Sequence, residues 1–231
     1  MSLDNYIGNK SILGLFQFIV NRIPPHRFYY ELFAGSAVIS EKLPDTAIKY
    51  LFDLDVEVVR NLKVKFGLNS NYIISQADAI SYLSYITNFR STTDVFVYLD
   101  PPYLFSERKS GKSYYKCELS DSDHLRLLSV ASTVNFNCMI SHPKCDIYDD
   151  ALKGWSCESF TVRYHNHTVL ETVYYNYQKP SELQTYAFVG NDSWDRQRIK
   201  RKIDSLVLKL AALHPLERNA IVDRIINEFL H

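Results

Sequence analysis

The chain has 231 residues and a mass of 26.9 kDa, and its 26 Lys and Arg are balanced by 26 Asp and Glu. That length suits one α/β domain with a small appendage, and the zero net charge excludes a protein that holds nucleic acid by bulk charge, so any such partner has to be met by local basic patches. No apolar run is long enough to span a membrane, the start lacks a charged-then-apolar leader pattern, and Cys117, Cys138, Cys145 and Cys157 show no C-x-x-C spacing, which together predict a cytoplasmic protein with reduced thiols, no metal and no membrane partner.

In chain order, Tyr6-Ile7-Gly8-Asn9-Lys10 precedes apolar residues at helical spacing (Ile12, Leu13, Phe16, Ile19, Val20) up to Ile23, and Pro24-Pro25 ends that helix. A glycine and a lysine at a helix entrance could cradle an anion, or the lysine could simply be solvated. Phe28 to Leu32 reads as a strand, followed by Phe33-Ala34-Gly35-Ser36-Ala37 and a helix through about Leu43. Strand, glycine turn, helix is a nucleotide-binding arrangement, although the G-x-G-x-x-G of dehydrogenases is missing. Ala47 to Phe52 is a third strand that ends in Asp53-Leu54-Asp55 before an amphipathic helix through Phe66. An acid about twenty residues beyond the glycine turn suits a ribose hydroxyl pair, and either acid could instead cap the helix. Tyr72 to Ser75 makes a fourth strand, and Asp78 opens a helix carrying Ile80, Tyr82, Leu83 and Ile86.

Val95 to Leu99 is a run of five apolar residues, as expected of a strand buried on both faces, and it stops at Asp100-Pro101-Pro102-Tyr103. Two prolines fix φ and remove two backbone donors, so the ladder cannot continue. The Asp100 carboxylate and the Pro101 carbonyl can then accept two N–H bonds from one planar amine, with the Tyr103 ring to stack on a flat heterocycle. A plain turn containing an acid is the alternative. The following loop carries Arg108, Lys109, Lys112 and Lys116, which suit either a solvated loop or, beside a base pocket, phosphate contacts. Ser120 caps a helix that bears Asp121, Asp123 and His124 near its start. Phe136 to Ser141 is a further buried strand, and a short helix follows from Tyr148 to Leu152. Trp155 to Tyr164 and Leu170 to Tyr177 are two long strands joined by His165-Asn166-His167-Thr168, a turn whose histidines offer no metal cage. Ser193 to His231 is helical, with Arg196, Arg198, Lys200, Arg201 and Lys202 crowded together: a solvated face, or a small DNA-backbone clamp using Arg198 and Arg201.

Asp100-Pro101-Pro102-Tyr103 with its strand resembles the catalytic motif of amino-methyltransferases, in the Asp form typical of Dam-type DNA adenine-N6 methyltransferases. The other stretches resemble that family's motifs in the family's order. Tyr6 to Lys10 is similar to the first motif, where the resemblance places Tyr6 and Lys10 along S-adenosylmethionine. Phe33, Ala34, Gly35 and Ser36 are similar to the E-x-F-x-G-x-G loop, with one departure: Ala37 replaces the second glycine, at which φ above zero would be uncomfortable. Asp53-Leu54-Asp55 matches the family's D-L-D, which assigns the ribose to Asp53 and leaves Asp55 to cap. The resemblance also gives Asp78 the cofactor's adenine amino group, and it gives His124 an orienting hydrogen bond. Glu171 to Tyr177 resembles the closing E-x-x-x-x-N-Y, with Tyr175 or Tyr177 either lining the base pocket or packing the core. The target-recognition domain usual between the positions of Asp78 and Asp100 is absent.

The resemblance implies an α/β, Rossmann-like class I methyltransferase sheet, mostly parallel with a C-terminal antiparallel hairpin, over residues 1–190, and a helical tail over 191–231. It implies methyl transfer from S-adenosylmethionine to N6 of a flipped-out adenine in double-stranded DNA, with Asp100, Pro101, Pro102 and Tyr103 catalytic and Asp100 also lying beside the cofactor. Methylation at cytosine C5 needs a thiolate, normally from a Pro-Cys pair, and none is present. The alternatives are cytosine-N4, RNA adenine or protein glutamine methylation, or a DNA-binding module without turnover.

Overall fold

The computed structural model describes residues 10–12, 14–88, 94–108, 115–163 and 168–229, the side chains at 163 and 169 excepted. Tyr6, Lys109, Lys112 and the His165-Asn166-His167 turn lie outside the described residues. The chain divides into two compact units, Met1–Ala187 and Phe188–His231.

The first unit is built on one seven-stranded sheet. Its strands are β1 (Phe28–Glu31), β2 (Ile48–Asp53), β3 (Tyr72–Gln76), β4 (Val95–Leu99), β5 (Asn137–Ser141), β6 (Ser156–Arg163) and β7 (Thr168–Tyr175), in the spatial order β3-β2-β1-β4-β5-β7-β6. The first five run parallel, while β7 is antiparallel to both of its neighbours, β5 and β6. The strand order reverses between β1 and β4, and this is the place where open α/β sheets bind ligands, beyond the carboxyl ends of the strands.

The apolar run of β4 is covered on both faces, as a central parallel strand must be. Val97 and Leu99 join a core with Leu32, Phe52, Cys138 and Ile140, packed under α4 (Ala79–Ile86), α5 (Asp121–Ala131) and α6 (Asp146–Ala151). The alternate residues Phe96 and Tyr98 are equally buried, and the Phe96 ring stacks with Tyr29 of β1. Side chains of this strand therefore divide between two layers with period two.

Local chemistry sets the helix starts. Asp55 accepts the Glu57 N–H at the entrance of α3 (Val56–Phe66), Asp78 accepts the Ser81 N–H at α4, and Ser120 with Asp123 forms a reciprocal capping box at α5. The first helix, α1 (Leu15–Val20), is shorter than the apolar spacing from Ile12 to Ile23 predicts. Gly14 precedes it at φ 97°, a conformation that suits glycine, and a Cβ there would meet the Phe160 ring of β6. The paired prolines at 24 and 25 follow its end. The helix α2 (Val38–Lys42) follows the glycine turn.

The second unit contains α7 (Ser193–Ala211), capped by Asp192, and α8 (Pro215–Phe229), which opens on the proline that favours a first helical position. Among the described residues no helix is long and apolar enough to cross a membrane.

Candidate active site

One cavity opens at the reversal of strand order. It is lined by the β1–α2 loop from Leu32 through Ala37, by Asp53, Leu54 and Asp55 at the end of β2, by Asp78 at the start of α4, and by Asp100 to Tyr103 at the end of β4. Lys10, Glu31 and the segment from Tyr115 to Leu119 complete the wall.

The glycine loop is tied to the acid of the neighbouring strand. The Gly35 N–H donates to Asp53 Oδ2 at 2.9 Å, and the Asp55 N–H donates to Asp53 Oδ1 at 2.9 Å. Burial pushes the Asp53 carboxyl up, and these backbone donors act against that shift. Each carboxylate oxygen keeps a second lone pair, so Asp53 can accept a further hydroxyl while it holds the loop. Ala37 adopts φ 53° and ψ 37°, the left-handed conformation that its identity as alanine disfavours. The turn dictates this geometry whether or not a glycine fills it. Among the described residues Asp78 engages Ser81 through Oδ1 alone, which leaves Oδ2 for another donor.

The proline corner is held from three elements. Lys10 Nζ lies 2.9 Å from Asp100 Oδ1, 3.2 Å from the Tyr103 hydroxyl and 3.8 Å from Glu171 Oε2 of β7. The Tyr103 hydroxyl donates to Glu171 Oε2 at 2.7 Å, and Ser141 Oγ of β5 donates to Asp100 Oδ1 at 2.6 Å. Burial works against the Lys10 charge, yet Asp100, Tyr103 and Glu171 together hold its ammonium well above the ordinary lysine range. Burial pushes the Asp100 carboxyl above its usual range, while Lys10 and Ser141 pull it back. Glu31 is buried beside them, accepts the Tyr29 hydroxyl at 3.0 Å, and has its carboxyl pushed up to about 8 by burial. Of these residues, Glu31, Ser141 and Glu171 carry no site role in the sequence reading. Glu171 is visible there only as the first letter of a closing motif, and Ser141 only as the end of a strand.

The structure places Arg108 against its own loop. Its guanidinium pairs with both oxygens of Glu118, donates to the Tyr103 carbonyl at 2.8 Å and lies over the Phe105 and Tyr115 rings; its side chain is 4% exposed. In this arrangement it braces the loop behind Tyr103. Lys116 is exposed on the cavity wall and paired with Glu57 at 2.5 Å. In the second unit Arg198 pairs with Asp195 at 2.7 Å and Arg201 meets Gln197 at 3.4 Å; both arginines are exposed. Tyr175 is buried in the core and Tyr177 is half-buried: the Tyr175 hydroxyl donates to Glu158 and the Tyr177 hydroxyl to the Arg22 carbonyl.

His124 is buried and bonds Tyr148 through Nδ1 at 2.8 Å, and burial pushes it down to about 4, so it is a neutral structural group. Its neighbour His142 stacks on Tyr148 at 3.8 Å and accepts the Leu104 N–H on Nε2 at 3.1 Å. His142 Nδ1, 2.8 Å from the Pro143 carbonyl, therefore carries the proton. This pins the backbone just beyond Tyr103. Among the described residues no group of three or more His, Cys, Asp or Glu is placed to hold a metal ion.

A sheet in the order β3-β2-β1-β4-β5-β7-β6 with a glycine loop and an Asp-Pro-Pro-Tyr corner at its switch point is the arrangement that the resemblance to class I methyltransferases implies. Residues 68–176 match the model of the D12 class N6 adenine-specific DNA methyltransferases. No curated protein matches the chain in sequence. Solved structures similar to it include an S-adenosylmethionine-dependent methyltransferase from Agrobacterium tumefaciens, with 11% identity over 69% of this chain and 58% of that one at a TM-score of 0.41. A precorrin-8w decarboxylase from Methanobacterium thermoautotrophicum shows 10% identity over 74% and 96% of the two chains at a TM-score of 0.43. A precorrin-6y C5,15-methyltransferase from Geobacter metallireducens shows 9% over 75% and 95% at 0.45. The chain thus spans less than two thirds of the length of the first of these.

Proposed function

We propose that the chain methylates N6 of an adenine flipped out of double-stranded DNA, in the cytoplasm, using S-adenosylmethionine. The observation that carries this reading is a single cavity in which the Asp100 to Tyr103 corner faces the same space as the glycine loop, Asp53 and Asp78. The lining suits that cofactor. Its acids outnumber its cations, which favours a sulfonium. Asp53 is placed to accept ribose hydroxyls, Asp78 Oδ2 is available for an adenine amino group, and Phe33 to Ser36 wrap the remainder.

When bound, S-adenosylmethionine supplies a methyl group on a sulfonium leaving group. The chain's own residues do the rest. The base leaves the stack at a cost of a few kcal/mol, and the Tyr103 ring, fixed through its hydroxyl by Lys10 and Glu171, offers a face to it. Asp100 and the Pro101 carbonyl accept the two N6 hydrogens, which returns the nitrogen lone pair from the ring. Lys10 keeps the Asp100 carboxylate charged, so that it can accept. Transfer is then direct, by proximity and orientation and not through a covalent enzyme intermediate, and the proton that the methylated nitrogen must lose passes to the Asp100 carboxylate that already accepts its N–H. Lys116, Arg198 and Arg201 are the described candidates for phosphate contacts, and Lys109 and Lys112 are candidates on sequence alone.

Tritiated methyl transfer to duplex DNA, followed by digestion to nucleosides, tests the reading. Wild type is expected to label N6-methyladenine, and Asp100→Ala to lose at least about a hundredfold in rate. Label in N4-methylcytosine, label from both proteins, or label from neither overturns it.

A further inference from the structure

We infer that Ser141, oriented by Tyr98, is a positioning residue that selects which oxygen of Asp100 meets the substrate amine, an inference that rests on the methyl-transfer reading above. The Ser141 hydroxyl has one proton, and its Oγ lies 2.6 Å from Asp100 Oδ1 and 2.8 Å from the Tyr98 hydroxyl. An ionised carboxylate only accepts, so Ser141 donates to Asp100 and Tyr98 must donate to Ser141. The direction of the chain Tyr98 to Ser141 to Asp100 follows without ambiguity.

Lys10 Nζ reaches the same oxygen, Oδ1, at 2.9 Å. Among the described residues both contacts fall on Oδ1, so Oδ2 is the oxygen left for a base amino group. A carboxylate free to rotate about its Cβ–Cγ bond would present either oxygen and lose orientation at the reacting nitrogen. Here the rotation is blocked from two sides, by a lysine that enters before α1 and by a serine at the end of the neighbouring strand. Ser141 and Tyr98 are fully buried, and neither lines the cavity. They act on the substrate only through Asp100.

The charged and titratable groups around Asp100 are Lys10, Tyr98, Tyr103 and Glu171, with Glu31 from β1, Tyr115 from the cavity wall and Tyr148 from α6. Deleting the Ser141 donor takes away a hydrogen bond that favours the charged carboxylate, so Asp100 protonates at higher pH. Activity needs the carboxylate, and it therefore fails at higher pH on the acid side.

The test uses Ser141→Ala, Tyr98→Phe and the conservative Ser141→Thr. Removing a hydrogen bond to a charged group predicts kcat down by about ten- to a hundredfold in Ser141→Ala, with KM for S-adenosylmethionine and DNA within about twofold of wild type by the same argument. The acid limb of its pH–rate profile is expected to move up by about one pH unit. Tyr98→Phe shows a smaller change in the same direction, and Ser141→Thr restores most of the rate. The Asp100 carboxyl is also followed directly by carbon-13 NMR titration in wild type, both Ser141 variants and Tyr98→Phe, which needs no turnover. A wild type that methylates no DNA but shows the NMR shift sinks the methyl-transfer reading and keeps the placement of Ser141. An Asp100 titration and acid limb unmoved in both Ser141→Ala and Tyr98→Phe sink the inference and leave the methyl-transfer reading intact.

Discussion

Lys10 and Asp100, ninety positions apart in the chain, meet at 2.9 Å with side chains 6% and 19% exposed. Breaking a buried pair by deleting one partner costs about 3–5 kcal/mol, because the other charge is stranded. Lys10→Met is therefore expected to lower single-turnover methyl transfer by at least about a hundredfold. Lys10→Arg should not restore it, since a planar fork cannot reach Asp100, Tyr103 and Glu171 from one point. A Lys10→Met variant that transfers at the wild-type rate contradicts this role.

Arg108 and the arginines of α7 separate by their response to salt. For every DNA phosphate that a side chain ceases to neutralise, the slope of log affinity against log salt shrinks by about 0.9. Arg198→Ala with Arg201→Ala is expected to flatten that slope by about 2 on this count. Arg108→Ala should leave the slope unchanged and destabilise the fold by about 3 kcal/mol, as it takes the guanidinium from Glu118 and from the Tyr103 carbonyl. Filter binding across a salt series and denaturant melts read the two effects.

Three buried histidines make stability fall in acid. Burial pushes His142 down to about 3, and His124 and His26 to about 4. In the unfolded chain they titrate near 6.5, so below that pH the unfolded state binds more protons than the folded one. The stability these groups contribute is complete above about 6.5 and drains away as pH falls towards their folded values, at about 1.4 kcal/mol per pH unit for each. His142→Gln, which also removes the acceptor of the Leu104 N–H, should lower stability at pH 8 and make the dependence between pH 6 and 4 shallower. Urea melts at stepped pH measure both.

Ala37 holds a left-handed backbone conformation within the glycine loop. Strain of this kind costs about 1 kcal/mol for a residue with a Cβ, so Ala37→Gly is expected to raise thermal stability slightly and preserve cofactor binding. Ala37→Val should destabilise by more than about 2 kcal/mol, because a branched side chain in that conformation also lacks room at a 1% exposed position. Calorimetry of the two variants decides.

Much of the sheet is legible in the sequence because parallel strands buried on both faces leave apolar runs, and β4 and β5 each do so. The helix caps Asp55, Asp78 and Ser120 are legible because a cap needs a short acceptor at one position. Contacts between distant strands leave no such mark. Nothing local distinguishes Ser141 from any strand-end serine, or Glu171 from an acid on an exposed strand; only the sheet order places them beside Asp100. The burial of Arg108 is illegible for the same reason: a guanidinium in a polar stretch looks solvent-facing until Glu118, ten residues on, pairs with it. Ala37 is by its identity reluctant to take positive φ, yet the loop imposes that conformation.

The placement of β7 between β5 and β6 has a consequence for assembly. β6 is made before β7 and, among the described residues, has no neighbour in the sheet other than β7, so it must wait for its partner until the following strand is made. Glu171 is delivered by that same late strand. A nascent chain halted at residue 163 already owns the glycine loop, Asp53, Asp78 and Asp100, but its β5 edge is bare and the Lys10–Tyr103 contact is without its carboxylate.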